Sequence, residues 1–196
     1  MTQKSESHQF RFHFNQTLWA TAIFLEKLGQ DIHYLDLARM LYVVERNYLA
    51  VEGEMLMGGQ IYALENGAVL KSAFRLIKGD DVRRSDEWAR CIRVLPKTRH
   101  IRLIHFPENF RLWSHQRKYV YDVVERYCGD KKVNLDKSVR SFPEWKKYKP
   151  TKMERFRIIP WEEVLKARGR EDLIESANNT FEIRRLIDEM IGKTRQ

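Results

Sequence analysis

The stretch from Leu35 to Leu49 constrains the fold more than any other part of the chain. Its apolar residues, Leu35, Leu37, Ala38, Met40, Leu41, Val43, Val44, Tyr48 and Leu49, fall on more than one face of a helix. Such a helix has to be enclosed by other elements. Asp36, Arg39, Glu45 and Arg46 interrupt the run, which argues against a membrane span. A chain of 196 residues that is 43% apolar and 12% aromatic has enough material to sheathe it, as one domain. The helix should stop before Gly53. Its apolar positions read as core, which leaves Arg39, Glu45 and Arg46 as the informative ones, with a buried ion pair as the structural explanation.

The sheath is legible on both sides. Leu18, Trp19, Ala22, Ile23, Leu25 and Leu28 recur at spacings of three and four, predicting a helix from Asn15, its N-cap, to Gly29, its stop. Gln60 to Glu65 alternates weakly and reads as a short strand, Asn66-Gly67 turns the chain, and Val69 to Ile77 predicts a helix closed by Gly79. Cys91 to Leu95 and His100 to Phe106 alternate with period two and predict a hairpin across Pro96 to Arg99, with arginine on the wet face. Tyr119 to Tyr127 predicts a helix capped by Ser114 and ended by Gly129. Short helices follow at Val133 to Val139, at Ser141 to Trp145 with Pro143 in the first turn, and at Trp161 to Ala167, closed by Gly169. Leu173 to Met190 predicts a C-terminal helix or broken pair. The expected class is mainly α (α+β), a compact helical domain with a small antiparallel sheet or hairpin. A polar segment at 1–14 precedes the domain at 15–170, and a helical extension at 171–196 packs on it.

Several function classes lack their minimal signatures. No phosphate-cradling, dinucleotide-binding or nucleophile-elbow motif occurs, so no catalytic residue and no cofactor is assigned and the chain reads as a non-enzyme. The six histidines are not spaced as metal ligands among themselves or with Cys91 and Cys128. His100 and His105, five apart, should face opposite sides of a strand. The polar N-terminus, the absence of a membrane span or lipidation box, and the two cysteines lead to the expectation of a soluble cytoplasmic protein with no membrane partner.

Lys and Arg number 36 against 27 Asp and Glu, a net charge of +9. Lys131 to Arg157 holds ten basic residues against Asp136, Glu144 and Glu154, so +7 of that excess lies in one stretch. Phe142, Trp145, Tyr148 and Phe156 interleave with these charges. That composition suits a nucleic acid, an acidic protein surface, or lysines lying over the core, and no nucleic-acid-binding motif accompanies it. Phe142 and Trp145 read as core anchors.

Leu37-Ala-Arg-Met-Leu-Tyr-Val-Val-Glu-Arg46, Gly53-Glu-Met-Leu-Met-Gly-Gly59, Tyr62-Ala63, Gly67-Ala-Val69 and Leu76-Ile-Lys-Gly79 together resemble the Panacea domain, the SocA-like antitoxin family of phages and bacteria. Tyr127-Cys128-Gly129 and Phe142-Pro-Glu-Trp145 are similar to its later elements, and the likeness runs from about Trp19 to Gly169. Ala68 stands where the family carries proline, and Phe142 where it often carries histidine. The resemblance implies an antitoxin that binds and neutralises a cognate toxin protein; part of the family also delivers the toxin to a cellular protease.

The matched turn nominates Tyr62, Asn66, Gly67, Ala68 and Val69 for partner contact, although Gly67 is equally explained by an Asn-Gly turn and Val69 by the core. Lys71 and Arg75, four apart on one helix face, could meet toxin carboxylates. Lys132, Arg140, Lys146, Lys147, Lys149 and Lys152 form the candidate patch for an anionic partner. The leading expectation is toxin binding; nucleic-acid binding or proteolytic adaptor activity through the basic segment is the alternative.

Overall fold

A computed structural model describes residues 10–29, 31–80, 85–108, 111–129, 133–180 and 182–183. The predicted central helix is α2 (Tyr34–Glu52), and every residue from Leu37 to Arg46 is buried. Its sheath comprises α1 (Phe14–Leu28), α3 (Lys71–Lys78), α5 (Ser114–Cys128), α6 (Leu135–Ser141) and α8 (Trp161–Ala167), all of which contact it. The remaining elements are α4 (Ser85–Cys91), α7 (Pro143–Tyr148) and two small antiparallel sheets. The architecture is mainly helical with a small sheet component. No helix among the described residues is long and apolar enough to cross a membrane.

One sheet runs β1 (Ile32–His33), β5 (His100–Leu103), β4 (Ile92–Leu95), and contains the predicted hairpin. Arg93 and Arg102 stand opposite each other on its exposed face, where two like charges repel. Asp31 relieves this by accepting from Arg102 Nε and Nη2 at 2.7 and 2.6 Å. His105 lies beyond the end of β5, so the two-sided strand reading of His100 and His105 does not apply.

The other sheet runs β3 (Gly67–Leu70), β2 (Ile61–Leu64), β6 (Arg157–Ile159). It corrects the expectation for Val69 and Leu70, which are strand, paired with Tyr62 and Ile61, while the helix begins only at Lys71. Leu64 pairs with Gly67, so the loop is Glu65-Asn66 and the positive φ, 125°, falls on Gly67. β6 extends the sheet from nearly a hundred residues downstream, pairing Ile159 with Ile61 and Ile158 with Tyr62.

Helix ends follow local chemistry, with three shifts from expectation. The N-cap of α1 is His13, because Thr17 returns both its N–H and its hydroxyl to the His13 carbonyl; Asn15 lies within the first turn. Trp113 caps α5 through its backbone N–H, which donates to Gln116 Oε1 at 3.0 Å, so Ser114 is the first helical residue. In α6, Asn134 Oδ1 accepts from the Lys137 N–H at 2.8 Å, and the helix runs Leu135–Ser141 rather than Val133 to Val139. Beyond α8, residues 172–180 are helical; Leu173 and Ile174 pack on the core and Ala177 is buried in it. Leu186, Ile187 and Met190 of the expected C-terminal helix lie outside the described residues.

Candidate partner-binding face

The charged residues of α2 are the foundation of the β2–β3 corner and its surroundings. Arg39, 5% exposed, donates through Nε to the Asn66 carbonyl at 2.8 Å and through Nη2 to the same oxygen. Its Nη1 meets Asp36 Oδ1 at 3.1 Å and its Nη2 meets Asp136 Oδ1 at 2.8 Å. Arg140 completes the clamp, donating to Asn66 Oδ1 at 2.8 Å and pairing with Asp136 at 3.2 Å. Thus α2 and α6 grip the turn between them. Gly67 is needed there: a Cβ would sit 2.9 Å from Val139 Cγ1 of α6.

Arg46 of α2 and Glu144 of α7 form a buried ion pair, the structural explanation expected for a charged residue of α2. Nε and Nη2 meet the two carboxylate oxygens at 2.5 and 3.3 Å, and Tyr42 donates its hydroxyl to Oε1 at 2.8 Å. The Arg46 guanidinium also lies 4.1 Å from the Phe142 ring centre. Burial, reinforced by the Glu144 charge, holds the Tyr42 hydroxyl well above the ordinary phenol range. Glu45 faces another way, accepting from the N–H groups of Leu56, Met57 and Gly58 at 2.6, 2.7 and 3.2 Å. Desolvation outweighs those donors and pushes its carboxyl up to about 7. The three buried charges of α2, Arg39, Glu45 and Arg46, are therefore committed inside the fold.

The nominated turn residues divide accordingly. Gly67, Ala68 and Val69 are buried and turn no side chain to the surface, whereas Asn66 and Arg75 are exposed and Tyr62 and Lys71 half-buried. Alternation places Tyr62 on the outer face of β2 and Ile61 and Ala63 on the inner one. The Tyr62 ring stacks on Phe156 at 4.3 Å and 6°, and Lys71 Nζ sits 5.3 Å from its centre while bonding Gln60 Oε1 at 3.0 Å. Arg75 points elsewhere, to the Asp80 carbonyl at 3.1 Å. Lys71 and Arg75 thus share a helix but not a set of contacts.

The basic stretch is also not uniform. Lys132 lies outside the described residues. Arg140 belongs to the Asn66 clamp, and Lys147 pairs with Glu163 at 2.5 Å, which holds that carboxyl below its usual range. Lys149 Nζ lies 5.5 Å from the ring centre of Trp145, itself buried and bonded through Nε1 to the Leu64 carbonyl at 2.9 Å. Lys146 and Lys152 are exposed. Sequence reasoning missed Ile158 and Met153, for which the apolar-at-the-surface signal exists only once β6 is placed; Phe156 was visible as an aromatic but not as the partner of Tyr62.

A separate cleft of about 340 Å³ lies between α1, α4 and the segment after β5, and none of the nominated residues lines it. Among the described residues no three His, Cys, Asp or Glu side chains converge to hold a metal.

Residues 37–146, more than half of the chain and running from the first turn of α2 to the first turn of α7, match the family model described as antitoxin SocA-like, Panacea domain. No curated protein and no solved structure matches the chain.

Proposed function

Because this chain belongs to the SocA-like antitoxin family of Panacea domains, we propose that it is the antitoxin of a toxin–antitoxin system and neutralises a cognate toxin by direct protein–protein binding. The single observation that carries this reading is the family match over residues 37–146. The physical character of the surface supports it. Arg39, Glu45 and Arg46 of α2 are engaged internally, while Tyr62, Phe156, Ile158 and Met153 reach the surface in a chain segment rich in lysine and arginine. Aromatic, Met and Arg side chains are the types enriched where proteins bind proteins. Neutralisation on this reading needs no chemistry from the antitoxin, only occupation of a toxin surface.

Co-expression with the product of the neighbouring open reading frame tests the proposal. The expected outcome is growth arrest by the neighbour alone and recovery when this chain is present. A neighbour that is harmless alone, or that stays lethal beside this chain, overturns it.

A further inference from the structure

Among the described residues eight large apolar side chains are exposed, and three of them, Met153, Phe156 and Ile158, fall within six residues. Their exposures are 98%, 45% and 46%. Ile158 stands opposite Tyr62 across the β2–β6 pair, so both lie on the outer face, and Phe156 joins them by stacking on Tyr62. Tyr62, Phe156 and Ile158 thus form one apolar surface on a sheet face rather than scattered single residues, and the exposed Met153 lies three residues before Phe156 in the chain.

The chain segment that carries it is strongly basic. Residues 146 to 157 hold six basic side chains and only one acidic, Glu154. Glu154 is occupied by the N–H and hydroxyl of Thr151 and by Arg157 at 3.7 Å, and Lys147 is neutralised by Glu163. Lys146, Lys152 and Arg155 are exposed and form no ion pair among the described residues. An apolar face with an uncompensated positive border complements a segment carrying apolar residues on one side and carboxylates at its margins.

We propose that the face formed by Tyr62, Phe156, Ile158 and Met153 is the toxin-docking surface, and that it takes an acidic, amphipathic segment of the toxin, whose carboxylates meet Lys146, Lys152 and Arg155. This rests on the antitoxin reading. Except for Tyr62 and Lys146, these residues follow the family-matched segment, which ends at residue 146. The matched part therefore supplies the scaffold and the sequence after it supplies most of the recognition chemistry. A single-stranded nucleic acid fits less well, because the two aromatic rings are stacked on each other and Met153 and Ile158 present aliphatic surface rather than base platforms.

The test compares three full-length proteins, wild type, Phe156→Ser/Ile158→Ser and Lys152→Glu/Arg155→Glu, for neutralisation of the neighbouring gene product in cells and for its affinity in vitro. Thermal melts confirm folding, which surface substitutions of this kind should leave intact. Each variant is expected to bind at least tenfold more weakly than wild type; binding by wild type and by Phe156→Ser/Ile158→Ser should weaken steeply with salt, and binding by Lys152→Glu/Arg155→Glu should not. If wild type neutralises and both folded variants do so equally well, the docking assignment is wrong while the antitoxin reading stands. If wild type does not neutralise, the antitoxin reading falls and takes the assignment with it. Two further results overturn the assignment: sedimentation showing a wild-type dimer that the variants dissolve, or a 20-nucleotide single strand that binds wild type as tightly as the toxin does and is lost in both variants.

Discussion

Removing the Glu144 carboxylate provides the sharpest test of how α2 is held. Glu144→Leu leaves the Arg46 guanidinium, 6% exposed, without a counter-charge and the buried Tyr42 hydroxyl without its acceptor. Breaking a buried pair from one side costs about 3–5 kcal/mol. Arg46→Met strands the carboxylate instead and should cost a similar amount, so independent effects would sum to about 6–10 kcal/mol. The double variant strands no charge, and only the Tyr42 hydroxyl stays unpaired, at about 1–3 kcal/mol. Urea denaturation of all four proteins gives the coupling directly. For a chain of this size each single variant should lower Tm by roughly 6–20 °C at about 2–4 °C per kcal/mol. The double should lie well above either single, and adding Tyr42→Phe should raise it further. If the double loses as much as the two singles summed, Arg46 and Glu144 do not act as a pair and the account of α2 given above is wrong.

Gly67→Ala should destabilise by about 2–4 kcal/mol, from a positive φ imposed on an L residue and a Cβ 2.9 Å from Val139 Cγ1; a melt within a degree of wild type would refute the clamp geometry. For Glu45 the folded-state carboxyl, at about 7, lies above its ordinary value of 4.5. The folded state then binds more protons between those values, so the contribution is favourable below pH 4.5 and is lost as pH rises through about 7. The loss is about 3 kcal/mol. Glu45→Gln should flatten this dependence, and melts at pH 5 and pH 8 that fall in parallel for both proteins would rule out Glu45 as its source.

Much of the fold could be read in advance because helices announce themselves within fifteen residues. The central helix, its glycine stop at Gly53, the proline-led start of α7 and the hairpin around Pro96 to Arg99 all rest on local spacing. Where the partner is distant, local spacing is silent. β6 is three residues long and becomes a strand only against Ile61 to Ala63. Val69 and Leu70 continue the apolar stripe of α3, so periodicity alone assigns them to the helix, while the register with β2 makes them strand. Among the described side chains of α4, Trp88 and Cys91 are the buried ones, too few to set a period. For the candidate face, Tyr62 was nominated but its stacking partner could not be paired with it by sequence. The +7 stretch looked like one patch, and the fold divides it among a clamp at Arg140, an ion pair at Lys147, and a border at Lys146, Lys152 and Arg155.

The 98-residue separation of Arg46 from Glu144 also has a temporal meaning. A ribosome adding about 5–20 residues per second needs roughly 5–20 s to proceed from the end of α2 at residue 52 to residue 144. Through that interval the central helix has been synthesised but lacks Glu144 of α7, which neutralises Arg46, and α8, which helps to cover it. The nascent chain therefore exposes, for those seconds, an apolar helix with an unpaired buried-type charge, the kind of surface that chaperones and proteases act on in incomplete folds.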